Sequence, residues 1–352
     1  MMFDCAKDVL AFHDEKVTLP QAERDDMRDR RDKNRTRLEN GLKKNEKPAP
    51  KEFCSQGSYA LKAMVQYAAK NYDIDDGVYF EKSALVGPRG AEMSALEVRQ
   101  MVRDALDDGS FKTPPKLHTN CVRVTYDKGY NVDVPIYRRV VTSNKGTENE
   151  VFHYELAGAD WVRSDARDVT SWFDAENIRQ SPDDSNGRQL RRITREIKMY
   201  ARSRSSWENS ILGGFGITTL VVECFKPNAD REDKALHDTM KAIRDRLNLN
   251  LSVKHPVTLG DTITSDPDDP KARVLREKLT DAIDWLAPLF EADCDREKAL
   301  GCWDTVYATT FFSDRLEKTD AKAATSSVSA LSYLSTSTRP GVVRKEGGGR
   351  YA

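Results

Sequence analysis

The sequence predicts an α+β chain of two lobes, on three observations. Strand-like alternation is concentrated between Asp73 and Val141, helical periodicity takes over from Ser164 onward, and 352 residues exceed the usual size of one domain. A strand-bearing lobe should come first and a C-terminal helical one second, with a cleft between the lobes. The expected divisions are an N-terminal helical segment packing on the core (1–50), the sheet-bearing core (51–163), the helical domain (164–316) and a tail (317–352).

From Gln21 to Asn45 the chain is dominated by charge, with Met27, Leu38 and Leu42 among its few apolar positions, which reads as a long exposed helix. Lys47-Pro48-Ala49-Pro50 ends it. Gln56-Gly57-Ser58 follows, and Ser58 is expected to open a helix over Tyr59–Gln66. Its hydroxyl and the nearby backbone N–H groups would then stand at the positive end of a helix dipole, a phosphate site. Gly57 would let the backbone approach that phosphate closely.

Asp73-Ile74-Asp75 lies in a run where Ile74, Val78 and Phe80 alternate with Asp73, Asp75 and Tyr79, the pattern of a half-buried strand with carboxylates on its open face. Asp76 falls on the apolar face and reads as a structural carboxylate satisfied locally. Val86 to Gly90 is a loop, and Ser94 to Asp107 a helix with Leu96, Met101, Val102, Ala105 and Leu106 on one side. Thr113-Pro114-Pro115 breaks the chain, after which Cys121–Tyr126 and Tyr130–Val141 form a hairpin around Asp127-Lys128-Gly129. That hairpin should deliver Asp133 beside the first strand.

Beyond a composition shift near Asn144-Lys145-Gly146, Asp165 to Phe173 reads as a short helix capped by Ser164. The strongest helical pattern is Gly187 to Arg204, with Leu190, Ile193, Ile197 and Tyr200 or Ala201 on its buried stripe. Lys198 is its best phosphate-neutralising candidate, ahead of Arg192 and Arg195. Gly213-Gly214-Phe215-Gly216 lacks the lysine and spacing of a P-loop and reads as a glycine turn entering a buried helix, whose Thr218 and Thr219 suit core packing better than a nucleotide pocket. Glu232–Leu247 and Asp269–Phe290 complete the helical lobe.

A lone Gly-Ser is usually a loop and a lone Asp-x-Asp a solvated edge, so the chemistry rests on their conjunction. Asp73, Asp75 and Asp133 on adjacent strands can hold two divalent cations, and hard oxygen ligands favour Mg2+, with Mn2+ as a substitute. Such a pair stabilises both the attacking and the leaving oxygen of a phosphoryl displacement. With the phosphate-gripping turn ahead of them, the residues read as a template-independent nucleotidyltransferase. A transferase modifying RNA or protein would use the same chemistry, and a catalytically silent nucleotide- or RNA-sensing module is the reading from another class.

In order and spacing, Ser55-Gln56-Gly57-Ser58-Tyr59, Asp73-Ile74-Asp75-Asp76-Gly77-Val78-Tyr79, Cys121-Val122-Arg123-Val124 and Val132-Asp133-Val134-Pro135-Ile136-Tyr137 resemble the CD-NTase family of bacterial cyclic-oligonucleotide synthases, most closely its DncV-like members. Ser164-Asp165-Ala166-Arg167, Trp172-Phe173 and the run from Leu190 to Lys198 continue the likeness, which spans roughly residues 20 to 225. The resemblance implies a polymerase-β-like nucleotidyltransferase core joined to a helical domain. It also implies that ATP and GTP, or similar nucleotides, are joined into a cyclic dinucleotide or trinucleotide, which activates an effector protein in antiphage defence. Residue by residue, it makes Asp73, Asp75 and Asp133 the magnesium ligands, brings Gln56 and Ser58 to the donor triphosphate, Arg123 to an acceptor nucleotide and Lys198 to donor phosphates.

The formal net charge of −1 excludes a globally basic nucleic-acid coat, so no obligatory nucleic-acid partner is expected. Six cysteines without a Cys-x-x-Cys pair suggest reduced thiols in the cytoplasm rather than zinc or disulfides, and no apolar run is long enough to span a membrane. From about Glu317 the chain turns rich in Ser, Thr, Ala and Gly, so a disordered tail is expected. Its small last residue would suit a regulator of the ubiquitin-transfer-like kind that accompanies some relatives.

Overall fold

The computed structural model of the chain describes residues 1–66, 72–88, 90–126 and 130–316. The first half runs α1 (Ala6–Phe12), α2 (Gln21–Lys44), β1 (Glu52–Gln56), a single-turn α3 (Gly57–Ala60), β2 (Tyr72–Glu81), α4 (Ala95–Leu106), β3 (Lys116–Leu117), β4 (Val122–Thr125), β5 (Tyr130–Val134), β6 (Ile136–Ser143), β7 (Val151–Ala157) and β8 (Trp161–Arg163). Helices follow: α5 (Ala166–Gln180), α6 (Gln189–Ala201), α7 (Gly214–Cys224), α8 (Glu232–Leu249), α9 (Pro270–Leu286) and α10 (Arg296–Tyr307). The expected turn at 127–129 and the tail from residue 317 lie outside the described residues.

β2 is the axis of the mixed sheet. β5 and β6 both run parallel to it, and β1 pairs with it antiparallel. The strand expected over Tyr130–Val141 is interrupted at Pro135, which has no N–H to give a ladder, although its carbonyl still accepts from the Val78 N–H at 2.9 Å. Pairing with β2 keeps one offset on both sides of the proline, so the interruption does not shift Asp133 out of line.

Alternation along these strands separates the two faces of the sheet. Val78, Phe80, Val124, Val132 and Ile136 pack on one face against Val98 and Val102 of α4 and Leu38 and Leu42 of α2. The long charged helix α2 is therefore solvated on one side only. Ser94 caps α4 in a full capping box with Glu97. Asp76 points to this apolar face and is locally satisfied, accepting from Arg35 Nε at 2.7 Å and Ser55 Oγ at 3.1 Å. Asp73, Asp75 and Asp133 belong to the other face.

The second lobe is built around Leu190, Ile193, Ile197 and Tyr200 of α6, packed with the cores of α7 to α10. The first residues join it: Met2, Cys5, Val9, Phe12 and Val17 share its core, so the stretch before α2 packs with the helical lobe, unlike the expectation for 1–50. α5 is longer than expected and is capped by Asp165 rather than Ser164, its carboxylate accepting from the Arg167 N–H. All six cysteines are unpaired. Among the described residues no helix is long and apolar enough to cross a membrane.

Candidate active site

Four of the predicted residues fall on one row across adjacent strands. Arg123 of β4 pairs with Asp133 of β5, Asp133 with Asp75 of β2, and Asp75 with Gln56 of β1. Asp73 stands one pleat away on the same face, opposite Asn131, whose amide donates to it at 2.9 Å. Arg123 forks onto Asp133 through Nε and Nη2, both at 2.7 Å, and its Nη2 lies 3.6 Å from Asp73. Burial, reinforced by the charges of Asp133 and Asp73 against the pull of Arg123, pushes the Asp75 carboxyl up to about 6.

Above this row passes the Gly57 turn. Gly57 has φ +59°, and a Cβ there would sit 2.1 Å from Asp75 Oδ2, so both backbone conformation and space demand glycine. The helix expected over Tyr59–Gln66 is a single turn, Gly57–Ala60, because the chain reverses into the left-handed region at Lys62, φ +52°. So short a helix sums few peptide dipoles, and the phosphate argument passes from the dipole to the Ser58 hydroxyl and the turn itself. Gln56 departs from the expected phosphate contact. It is 3% exposed, donating to the Tyr79 hydroxyl at 3.0 Å and accepting from Tyr137 at 3.1 Å. Its amide ties β1 to a stacked tyrosine pair and positions the turn from beneath.

From the opposite lobe, α6 holds the segment after that turn by three successive carbonyls. Arg191 Nε donates to Leu61 O at 3.0 Å, Arg195 Nε and Nη2 to Lys62 O at 2.8 and 2.6 Å, and Lys198 Nζ to Ala63 O at 2.8 Å. These residues share one helix face by their spacing. Arg192 points elsewhere, pairing with Glu232 and Asp183. Burial, then the like charges of Arg202 and Arg195, lower the Lys198 ammonium to about 7. A Cβ on Gly214 would meet Lys198 Cε at 2.9 Å, so the glycine entry to α7 makes room for the lysine.

A cavity of about 320 Å³ gathers Gly57, Ser58, Asp73, Asp75, Asp133 and Lys198 on its walls. It adjoins a larger one of about 620 Å³, with which it shares Asp73, Lys198, Arg202 and Gly214, and which adds Arg204 and Lys271. Gln56 and Arg123 are outside both linings. Thr218 does line the smaller cavity, although its hydroxyl is spent on the Gly214 carbonyl. Sequence reasoning missed Asn131 and Lys271, which stand in no motif; only the register of β2 against β5 and the packing of α9 bring them near.

The donor set is all hard oxygen, and the three carboxylates put negative charge on a partly buried spot that one guanidinium offsets. Both features fit a divalent cation. As the side chains stand, no set of three His, Cys, Asp or Glu among the described residues is arranged to hold a metal ion. At this site Asp133 gives both oxygens to Arg123, so a cation must compete with that fork.

Residues 51–137 match the family described as cyclic GMP-AMP synthase DncV-like, nucleotidyltransferase domain. Vibrio cholerae DncV in complex with the linear intermediate 5' pppA(3',5')pG is similar at 15% identity and TM-score 0.67, over 87% of this chain and 96% of that one. Escherichia coli DncV bound to 3'-deoxy GTP is similar at 18% identity and TM-score 0.61, over 83% and 92%. CdnC from E. coli MS115-1 with ATP shows 18% identity and TM-score 0.59, over 87% and 98%. At these identities the solved structures establish the fold, a DncV-like nucleotidyltransferase core with its helical lobe, and the family match bears out over its own span the resemblance read from the motifs.

Proposed function

We propose that the chain, whose residues 51–137 match the DncV-like nucleotidyltransferase domain family, is a cyclic-oligonucleotide synthase that joins ATP and GTP into a cyclic dinucleotide of the cyclic GMP–AMP type and releases pyrophosphate. The observation that carries this reading is the in-register pairing of Asp75 with Asp133 beneath the Gly57 turn, in a cavity that Lys198 closes from the other lobe.

Asp73, Asp75 and Asp133 would hold magnesium, or manganese in its place, which supplies charge neutralisation on phosphoryl oxygens and a more acidic attacking hydroxyl. Ser58 donates its hydroxyl to the donor triphosphate. Lys198, protonated once phosphate is near, offsets the charge that builds on the leaving pyrophosphate. Arg123 leaves Asp133 and turns to the acceptor nucleotide, freeing a carboxylate beside the acceptor hydroxyl to take its proton. The hydroxyl oxygen bonds to the α-phosphorus as the bond to pyrophosphate breaks. A second, ring-closing transfer needs the linear intermediate to turn over, and the two adjoining cavities offer the space. The product then serves as a second messenger for an effector protein.

Incubating the purified chain with labelled ATP, GTP, CTP and UTP and Mg2+ tests this, with nuclease digestion and mass spectrometry of the products. A cyclic ATP–GTP product formed without macromolecular acceptor is expected. Label that appears only on added RNA or protein would instead establish the acceptor-modifying reading.

A further inference from the structure

By strand alternation Tyr79 stands on the same face of β2 as Asp73 and Asp75. Its ring stacks on Tyr137 of β6 at 4.6 Å and meets Tyr154 of β7 edge-on at 5.1 Å. Arg167 comes to these rings from the first turn of α5, a helix whose Phe173 shares the core of the helical lobe. Its guanidinium lies 4.5 Å from the Tyr79 ring centre and 4.2 Å from that of Tyr154. The same group forks onto Asp165, Nε reaching Oδ1 and Nη2 reaching Oδ2, both at 3.0 Å, and its Nη1 donates to Glu52 of β1 at 2.9 Å. Asp165, Arg167 and Tyr79 are all outside the linings of the two cavities at the candidate site.

A carboxylate held by a guanidinium can only accept, so the Tyr79 hydroxyl donates to Asp165 Oδ1, at 3.3 Å. That spends its proton and leaves its oxygen to accept from Gln56 Nε2, while the Tyr137 hydroxyl donates to Gln56 Oε1. Donation therefore runs one way, from Tyr137 through Gln56 and Tyr79 to Asp165, and this order fixes which end of the Gln56 amide meets which tyrosine. Gly77 clears the space, since a Cβ there would sit 2.1 Å from Gln56 Nε2. Gln56 is the last residue of β1, and the next residue, Gly57, opens the turn. Glu52, at the other end of β1, accepts from Arg167 and from the Tyr154 hydroxyl, the latter at 3.1 Å. Both ends of the strand that carries the turn are thus tied to one arginine of α5.

We propose that Arg167, acting through Asp165, Tyr79 and Gln56, is the positioning residue that sets the Gly57-Ser58 turn over Asp75, and so governs where the donor triphosphate lies during nucleotide transfer. Its catalytic consequence rests on the synthase reading above, whereas the placement of the turn does not. Arg167 touches no reacting atom. The turn is held from two sides, by β1 and Arg167 before it and by the α6 bonds to residues 61–63 after it.

Hydrogen exchange of the full, nucleotide-free chain reads the turn without activity, at the Leu61 and Ala63 amides, which donate to the Gly57 and Ser58 carbonyls at 3.1 and 2.9 Å. Arg167→Met, and Asp165→Asn, which keeps a capping side chain on α5, should each speed exchange there by about tenfold or more while α4 amides stay as protected as in the parent. With Mg2+, ATP and GTP, both variants should lose about tenfold or more in kcat for pyrophosphate release, with KM within about threefold. Adding Tyr79→Phe to either should cost little more, because the residues act in one chain. Unchanged exchange at Leu61 and Ala63, a rise shared equally by α4, or losses that add in the double variants would each overturn the proposal. A parent chain that releases no pyrophosphate would refute the synthase reading alone, and exchange would still decide whether Arg167 positions the turn.

Discussion

Arg123 clasps Asp133 with two parallel 2.7 Å bonds, so the most buried acid of the candidate site is closed by a cation belonging to the protein itself. Any metal must compete with that fork. Arg123→Met should therefore lower the concentration of Mn2+ that half-saturates the nucleotide-free chain by several-fold, read by electron paramagnetic resonance. It should also lose about 1–3 kcal/mol of stability in EDTA, because Asp133 is left without its partner. Unchanged Mn2+ affinity would separate the fork from the cation site.

Asp75 carries a stability signature of its own. Its carboxyl titrates near 6 in the fold, above the ordinary value of 3.8, so the folded state holds a proton that the unfolded chain has released. Stability should fall as pH rises between about 4 and 6, with the penalty fully present above 6. Asp75→Asn should melt higher than the parent chain at pH 7.5 in EDTA, by on the order of 1–3 kcal/mol, and the gap should close below about pH 4. Saturating Mg2+ should narrow the gap by stabilising the parent alone.

Lys198, lowered to about 7, is mostly neutral at pH 8. A triphosphate beside it raises its pKa again, so nucleotide binding at pH 8 should take up close to one proton, and binding at pH 6 almost none. Calorimetry in two buffers of unlike ionisation enthalpy reads this directly. Lys198→Met should abolish the buffer dependence and weaken nucleotide binding.

Gly57 and Gly90 make a matched pair. Both have positive φ, but a Cβ on Gly57 strikes Asp75 at 2.1 Å, whereas one on Gly90 meets nothing within 4 Å. Alanine should cost each about 1–2 kcal/mol of backbone strain. Only Gly57→Ala should also lower nucleotide incorporation, by about a hundredfold, since it displaces a carboxylate as well as the turn.

Much of this arrangement is legible in the sequence because it is local. Alternation around Ile74, Val78 and Phe80 gives β2, valines flanking Asp133 give β5, and the 3.6-residue stripe of Leu190, Ile193 and Ile197 gives α6. Long-range pairing is where the reading stops. Nothing near Gln56 tells that its amide is consumed by Tyr79 and Tyr137, and nothing near Ser58 tells that Lys62 reverses the chain after one turn. Charge on α6 is visible, but which of its arginines reach the carbonyls of residues 61–63 and which face Glu232 depends on how the lobes meet. β7 and β8 escape for a different reason, since their exposed positions blur the alternation.

The account rests on Asp73, Asp75 and Asp133 acting as one centre. Its most direct test is the initial rate of pyrophosphate release from ATP and GTP with Mg2+ by Asp75→Asn, in protein whose melting curve shows it folded. A fall of about a thousandfold or more is predicted, as for loss of a cation ligand in phosphoryl transfer. A variant that keeps even about a tenth of the parent rate would contradict it, because no electrostatic role of that size could then be assigned to the carboxylate.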